Sequence, residues 1–467
     1  MGYAKFLEER KPLAKQLVLE LRKKFDYVSI LGTFVDGVAI TTNRATTSVG
    51  EPMLAERGFV IRVYNGLGYA EYSCNDLAKD PVAFAAKIEK VVTLSPSLSA
   101  KMTKIVQMKD EPHVEKFNRP DTGKEYTAQE IVAFCSAKKD EILKQDPLIV
   151  NAMVQVSQIK VSKMFITEHK ELEQFYTWTN ATFVCVMQED GKMSFERVGN
   201  QNDNMEKTLR EVSGRVEELV TITKKVLHAK HVVPGVYDVI THPSATGLIA
   251  HEAFGHGVEM DMFVKNRSKA RGYIGKYVAS PIVSMRDGAK AFPSVGSYFF
   301  DDDGVIGQDT LIIKDGILQT GISDYLSALE LGTEPTGNGR RESFKRKAYT
   351  RMTNTFFLPG KDKLEDMIKS IKHGYMLFET NNGMEDPKNW NIQCVVEYGI
   401  EIKDGKLTDN YISPVVMSGY VPDLLKSISM ISSDLEVYGS GFCGKGYKEW
   451  VRVSDGGPYL KARVKLG

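Results

Sequence analysis

The sequence predicts an α+β chain, with a mixed α/β-type N-terminal domain at 1–230 and a β-dominated C-terminal domain at 231–467. Three observations carry this. Helical periodicity and strand-like runs alternate through the first half. The second half is a series of short β-type runs separated by Lys-Asp-Gly turns at 314–316 and 403–405. Between them a long charged stretch ends at Pro234-Gly235, the strongest boundary in the chain. A further division of the first domain into two subdomains would fall near 110–125.

Residues 3–24 place Leu, Val and Ala at helical intervals among charges and read as an amphipathic helix. Strand-like runs follow at 27–35 and 38–42. The runs 58–64 and 68–73 flank Asn65-Gly66, a combination that predicts a hairpin. Residues 76–92 return to helical spacing. Helices are expected at 127–144 and, as one long helix, at 204–230, with strands at 151–165 and 180–188. In the second half, strands are expected at 236–241, 308–313, 317–320, 395–403 and 411–417, with one helix at 363–372. No internal repeat or low-complexity tract interrupts the pattern.

Composition narrows the function. Apolar residues make up 42% of the 467 and charged residues 26%, an ordinary globular balance. Sixty-one basic residues face sixty acidic ones, for a net charge of +1. This speaks against a dedicated nucleic-acid or anionic-membrane binder. One basic cluster stands out: Arg340, Arg341, Lys345, Arg346, Lys347 and Arg351. No run is long and apolar enough to span a bilayer, and the first residues lack a signal-peptide core, so a cytoplasmic location is expected. Five cysteines at irregular spacing do not form a disulfide framework. Each is a small buried residue or a ligand.

The chemistry concentrates in His251-Glu252-Ala253-Phe254-Gly255-His256. Metal-binding helices usually carry histidines at i and i+4, about 40° apart around the axis, so that both rings face one ion. Here the spacing is i, i+5, which an α-helix would set about 140° apart. Two solutions are open. The helix widens locally into a π-type turn, or it ends at Gly255 and His256 turns back. A third ligand is at hand in Cys443, set among four glycines between 439 and 446, which let a short loop approach another site closely. A thiolate and two imidazoles suit zinc and leave a fourth position for water. The competing structural reading makes one histidine a helix cap, Glu252 a surface pair and Cys443 a buried structural thiol.

These segments resemble the TldD/PmbA family. HEAFGHGVEMD is similar to that family's HEAxGHGxExD, and GFCGKG to its C-terminal CGK element. Gly337-Asn338-Gly339-Arg340, Arg351-Met352-Thr353-Asn354-Thr355 and Leu358-Pro359-Gly360 resemble its intervening xTNxxxxPG block. In the N-terminal half, 58–63 and 68–70 look like its first domain. The resemblance implies a two-domain cytoplasmic metalloprotease holding one zinc ion per chain through His251, His256 and Cys443, with Glu252 as general base. It also implies a homodimer, or a heterodimer with a family paralogue, enclosing a chamber for unfolded peptides. Family members lacking these residues serve as non-catalytic partners, whereas this sequence keeps all four. An older family name concerns DNA gyrase, for which the neutral charge gives no support. One departure stands out. After CGK the family continues with Gly-Gln and an apolar VPVG-like run, whereas this chain reads GYKEWVRVSD over 446–455, which touches substrate preference.

Weaker candidates complete the site. Glu259 and Asp261 are placed to orient the imidazoles, since ligand histidines usually donate their other N–H to a carboxylate. Arg340, Arg351 and Asn354 could bind substrate backbone or its carboxylate, with surface ion pairing as the alternative for the arginines. His242, His228 and His231 read as capping or helix-end residues, and Asp301-Asp302-Asp303-Gly304 as a polar turn. The expected function is zinc-dependent hydrolysis of unfolded or flexible peptides, captured by strand addition. The alternatives are a partner subunit with structural zinc, or a hydrolase of small amides.

Overall fold

Strand-forming runs of the first half prove longer than their sequence segments suggest, and they join one eight-stranded sheet. The computed structural model describes residues 2–93, 104–445 and 449–467. The runs at 27–35 and 38–42 are a single strand, Tyr27–Thr42, passing through Gly37. A Cβ on that glycine would sit 2.0 Å from the Gln158 carbonyl oxygen. This strand pairs antiparallel with Glu56–Tyr64 and with Ile149–Ile166. The expected hairpin is present. Tyr64 faces Tyr69, and Asn65 Oδ1 accepts the amides of Leu67 and Gly68.

Ile149–Ile166 and Lys170–Glu189 form a long hairpin, and Lys192–Asn202 adds to it. This last strand escapes sequence reading because its buried face carries Ser194 and Glu196 beside Val198. His113–Arg119 lies parallel to Lys170–Glu189, so one sheet runs through 110–125. Helices Lys5–Arg22 and Pro81–Val92 bury Leu7, Leu17, Phe84 and Ile88 against Ile30, Phe59 and Ile61. Ala128–Leu143, opened by a Thr127–Glu130 capping box, covers Val154 and Phe183.

The single helix predicted over 204–230 is two helices, Met205–Ser213 and Val216–Leu227. Gly214 closes the first, and Arg215 leaves helical geometry at φ −104°. Its guanidinium is drawn away to the Gly199 carbonyl and Glu218. The strand predicted at 411–417 is likewise divided, into Lys406–Ile412 and Val415–Tyr420, because Pro414 has no N–H to offer a ladder.

In the second half, five strands close a ring: His373–Asp386, Gly235–Thr241, Leu460–Leu466, Val415–Tyr420 and Asn391–Lys403, the last pairing back to the first. A six-stranded sheet lies beside it and ends in Asn354–Phe357, Glu449–Gly457 and Glu436–Lys445. The fold is therefore α+β and mostly strands. Among the described residues no helix is long and apolar enough to cross a membrane.

The Asp301–Asp303 turn is not the solvated feature its charge suggests. All three residues are buried. Asp301 accepts the amides of Asp303, Val305 and Gly339. Asp302 pairs with Lys163 and accepts the Arg341 amide, and Asp303 lies 2.7 Å from the Arg62 guanidinium. Lys163 and Arg62 belong to the N-terminal sheet, so the turn ties the two halves of the chain together. Glu71 completes the tie by accepting from both Arg62 (2.8 Å) and Arg341 (2.9 Å). Burial alone would raise the Glu71 carboxyl, but Arg62 and Arg341 outweigh it and hold the pKa at about 2.

Because the folded pKa lies below the unfolded one, the Glu71 contribution is complete above pH 4.5 and disappears as pH falls towards 2. Glu71→Gln is expected to cost about 3 kcal/mol at pH 7, since it leaves two buried guanidinium groups short of a partner. Urea unfolding at pH 7 and pH 3.5 checks this. A wild-type advantage that does not shrink at the lower pH would overturn it.

Candidate metal centre

The i, i+5 spacing is accommodated by the first of the two solutions the sequence left open. His242 caps the helix Pro243–Leu248, its ring nitrogen accepting the Ser244 amide. The chain then widens into a π-helix over Ile249–Gly255, and the amide of His256 donates to the carbonyl of His251. A π turn closes i→i+5 hydrogen bonds, so it brings together residues that an α-helix would splay. The segment is buried between strands. At Gly255 a Cβ would sit 2.2 Å from the Met352 sulfur, which leaves no room for a side chain. A tight turn, His256–Val258, follows.

The two imidazole rings stand perpendicular, with centroids 5.1 Å apart. Cys443, on the edge strand Glu436–Lys445, places Sγ 3.4 Å from His256 Nε2. One ligand atom from each of His251, His256 and Cys443 lies within 4.8 Å of the others. Among the described residues these three form the cluster able to hold a metal. The imidazoles outweigh burial and draw the Cys443 thiol well below its usual range, towards the thiolate. Burial would lower His251, but Cys443 outweighs it and raises the ring to about 9.

Behind the donors lies a ring of charge. His256 Nδ1 is 3.1 Å from Glu259 Oε2, which turns Nε2 towards Cys443. Lys445 reaches back to Glu259 at 2.9 Å and to Asp261 at 2.6 Å. Burial opposes ionisation of Glu259, and Lys445, His256 and Arg351 together overcome it and lower its pKa. Asp455 approaches His251 Nδ1 at 3.8 Å.

Glu259 thus meets the His256 ring, whereas Asp261 pairs with Lys445 and Lys265. Asp455 and the bridging role of Lys445 escaped sequence reading. One signal was available: strand alternation puts Asp455 on the face of Val451 and Val453, opposite Cys443.

The three residues assigned to substrate are placed differently. Arg351 is 1% exposed and donates to the carbonyls of Cys443 (2.7 Å) and Glu449 (2.9 Å). Arg340 donates to the carbonyls of Met352 and Arg452. Asn354 is fully buried, with its amide on Gly288 and Ser297. As placed, these donors brace backbone, and none of the three residues lines the cleft. Of the basic cluster, Arg341 and Arg351 are buried, Arg340 is half-buried, and Lys345, Arg346 and Lys347 are exposed.

The donors open onto a cleft of about 800 Å³, bordered by Glu252, Tyr349, Asn382, Met384, Phe442 and Trp450. Glu252 is 9% exposed and packs over Gly383, where a Cβ would meet its side chain at 2.4 Å. Residues 446–448 of the atypical segment lie outside the described residues, whereas Glu449–Gly457 is the strand paired with the cysteine strand.

Residues 234–464 match the family model described as the PmbA/TldA metallopeptidase C-terminal domain. A metalloprotease of Methanocaldococcus jannaschii is 31% identical over 313 residues, 67% of this chain and 68% of that protein. A zinc metalloprotease TldD homolog of Saccharolobus solfataricus is 33% identical over 236 residues, 50% of this chain and 52% of that protein. Other curated relatives align over about half their length. The fold matches the crystal structure of TldE from Thermococcus kodakarensis with a TM-score of 0.73 at 17% identity, covering 97% of this chain and 100% of that one. With its HEAFGHGVEMD segment wound into a π turn against the CGK strand, the chain belongs to the TldD/PmbA family.

Proposed function

We propose that the chain is a zinc-dependent peptidase acting on unfolded or flexible peptides, with Glu252 as general base. The observation that supports this most is the meeting of two imidazoles and a thiol within 4.8 Å, on the wall of a cleft that Glu252 also lines. The donor set suits zinc, being one thiolate and two nitrogen ligands with no fourth protein donor in the cluster among the described residues. When bound there, zinc would supply Lewis-acid polarisation of a carbonyl and acidification of a water. The name of the Saccharolobus relative favours this metal.

The protein's own residues divide the remaining work. The Glu252 carboxylate takes a proton from the attacking water and returns it to the leaving amine. Glu259 accepts from His256 Nδ1 and fixes the tautomer that presents Nε2. Lys445 keeps Glu259 ionised, and Arg351 holds the Cys443 carbonyl so that the edge strand stays against the π turn. The cleft, at about 800 Å³, offers space for part of a peptide, whose recognition would follow from main-chain hydrogen bonds and side-chain pockets. Membership of the family agrees with assembly as a dimer, with a second copy or with a paralogue. A cytoplasmic setting agrees with the free cysteines.

Glu252→Gln is expected to retain zinc and to lower kcat/KM on an unfolded peptide by about 100- to 10,000-fold. Metal analysis beside a peptidase assay checks this, and full activity in the variant would end the assignment. Cys443→Ala is expected to lose most of its zinc. Lys445→Met, which removes the bridge to Glu259 and Asp261 together with the hydrogen bond to the Thr350 carbonyl, is expected to weaken zinc affinity about 10- to 100-fold. Competition with a chromogenic chelator measures both, and unchanged affinity in either variant would remove that residue from the site.

A further inference from the structure

A second cavity, of about 110 Å³, lies between the N-terminal sheet and the strand pair that carries Cys443. Its apolar wall is Val35, Ile159, Val161, Trp178 and Val295, and its far side is Phe442 and Arg452. Phe442 also borders the metal cleft, so the two spaces share one lining residue. Arg452 lies within the 446–455 segment, where this chain departs from the family pattern.

The charges around the cavity are nearly all engaged. Asp301 is satisfied by three amides, and Asp302 by Lys163 and the Arg341 amide. Glu56 accepts the Phe344 amide at 3.0 Å, and Glu342 accepts the Trp450 amide at 3.1 Å and lies 3.7 Å from Arg346. Arg341 is paired with Glu71, and Arg340 donates to two backbone carbonyls while lying 5.3 Å over the Tyr298 ring. Arg452 is the exception. Among the described residues no carboxylate meets its guanidinium, whose recorded neighbour is the Phe442 ring at 5.1 Å. Arg452 is half-buried, and a guanidinium partly withdrawn from water without a counter-ion gains by pairing with an anion.

We propose that this cavity binds a carboxylate carried on an apolar body, with Arg452 as counter-ion and the Val35–Ile159–Trp178 wall receiving the body. Either a free small acid or the C-terminal residue of a peptide has this chemistry. Burial lowers the Arg452 pKa to about 10 with nothing opposing it, and raises Glu56 to about 7, which weakens one competing anion of the cavity wall. The site does not depend on the peptidase reading, because none of its residues is a metal donor.

Calorimetry on the full chain, zinc-loaded and again after chelation, tests this. The probes are N-acetylphenylalanine, its amide, and the tripeptide Ala-Ala-Phe as free acid and C-terminal amide. The acids are expected to bind at least about tenfold tighter than the amides, equally with and without zinc. Arg452→Met, which keeps a stem against Phe442, is expected to erase that preference, and Arg452→Lys to restore part of it. Binding of N-acetylphenylalanine alone would identify a free acid as the ligand, and binding of the tripeptide acid as well would identify a peptide terminus. Three results would overturn the proposal: no preference for acid over amide, binding that vanishes on chelation, or an Arg452→Met protein that binds as the wild type does. Should Arg452→Met fail to fold, the acid–amide comparison on the wild type decides.

Discussion

One hydrogen bond, from the His256 amide to the His251 carbonyl, sets the geometry on which the candidate site depends. Five residues separate the histidines, and an ordinary α-helix would point their rings in different directions. The wide turn is poor helical geometry on its own account, so its surroundings must hold it. They do so by close fit. Gly255 sits against Met352, Gly383 lets Glu252 pack on the strand His373–Asp386, and Phe254 is fully buried. Packing of this density resists rearrangement, and a rare backbone form persists where its neighbours over-determine it.

A second constraint is electrostatic. Lys445, Glu259, Asp261 and Arg351 are all buried or nearly so, and they meet within a few ångströms of one another. Taking such a group from water costs several kcal/mol per ion by order of magnitude, and pairing returns that cost only if the geometry is good. A cluster of this kind is weak evidence for stability. What it does supply is position. Lys445 joins the cysteine strand to the residues just after the π turn, and Arg351 fastens the Cys443 carbonyl to the same place. Both cations bring distant sequence segments to one point, Lys445 from the wall of the cleft and Arg351 from behind it.

Local physics was legible in the sequence. The Asn65-Gly66 hairpin, the Thr127 helix start and the strand after Pro234-Gly235 all follow from residues that dictate their own backbone. The unusual histidine spacing announced a departure from α geometry and offered the π turn as one answer. What could not be read is what depends on partners far along the chain. Asp301–Asp303 looks solvated until Lys163 and Arg62, well over a hundred residues earlier, arrive to bury it. Arg351 and Asn354 sit in a motif that suggests contact with substrate, yet their donors go to backbone that only the folded sheet places there. The break at Gly214-Arg215 was hidden for a similar reason, since the pull on Arg215 comes from a carbonyl across the sheet.

The strand Glu449–Gly457 shows why these levels cannot be separated. Along its length Asp455 faces His251, Val451 pairs with Cys443, and Arg452 points to the cavity against the N-terminal sheet. Alternation alone assigns these neighbours to opposite sides. A displacement on one side must therefore be felt on the other, because Arg340 clamps the Arg452 carbonyl and Arg351 the carbonyls of Cys443 and Glu449. The metal donors and the junction between the two halves of the chain thus share one rigid element. Changes in that strand's sequence therefore act on both.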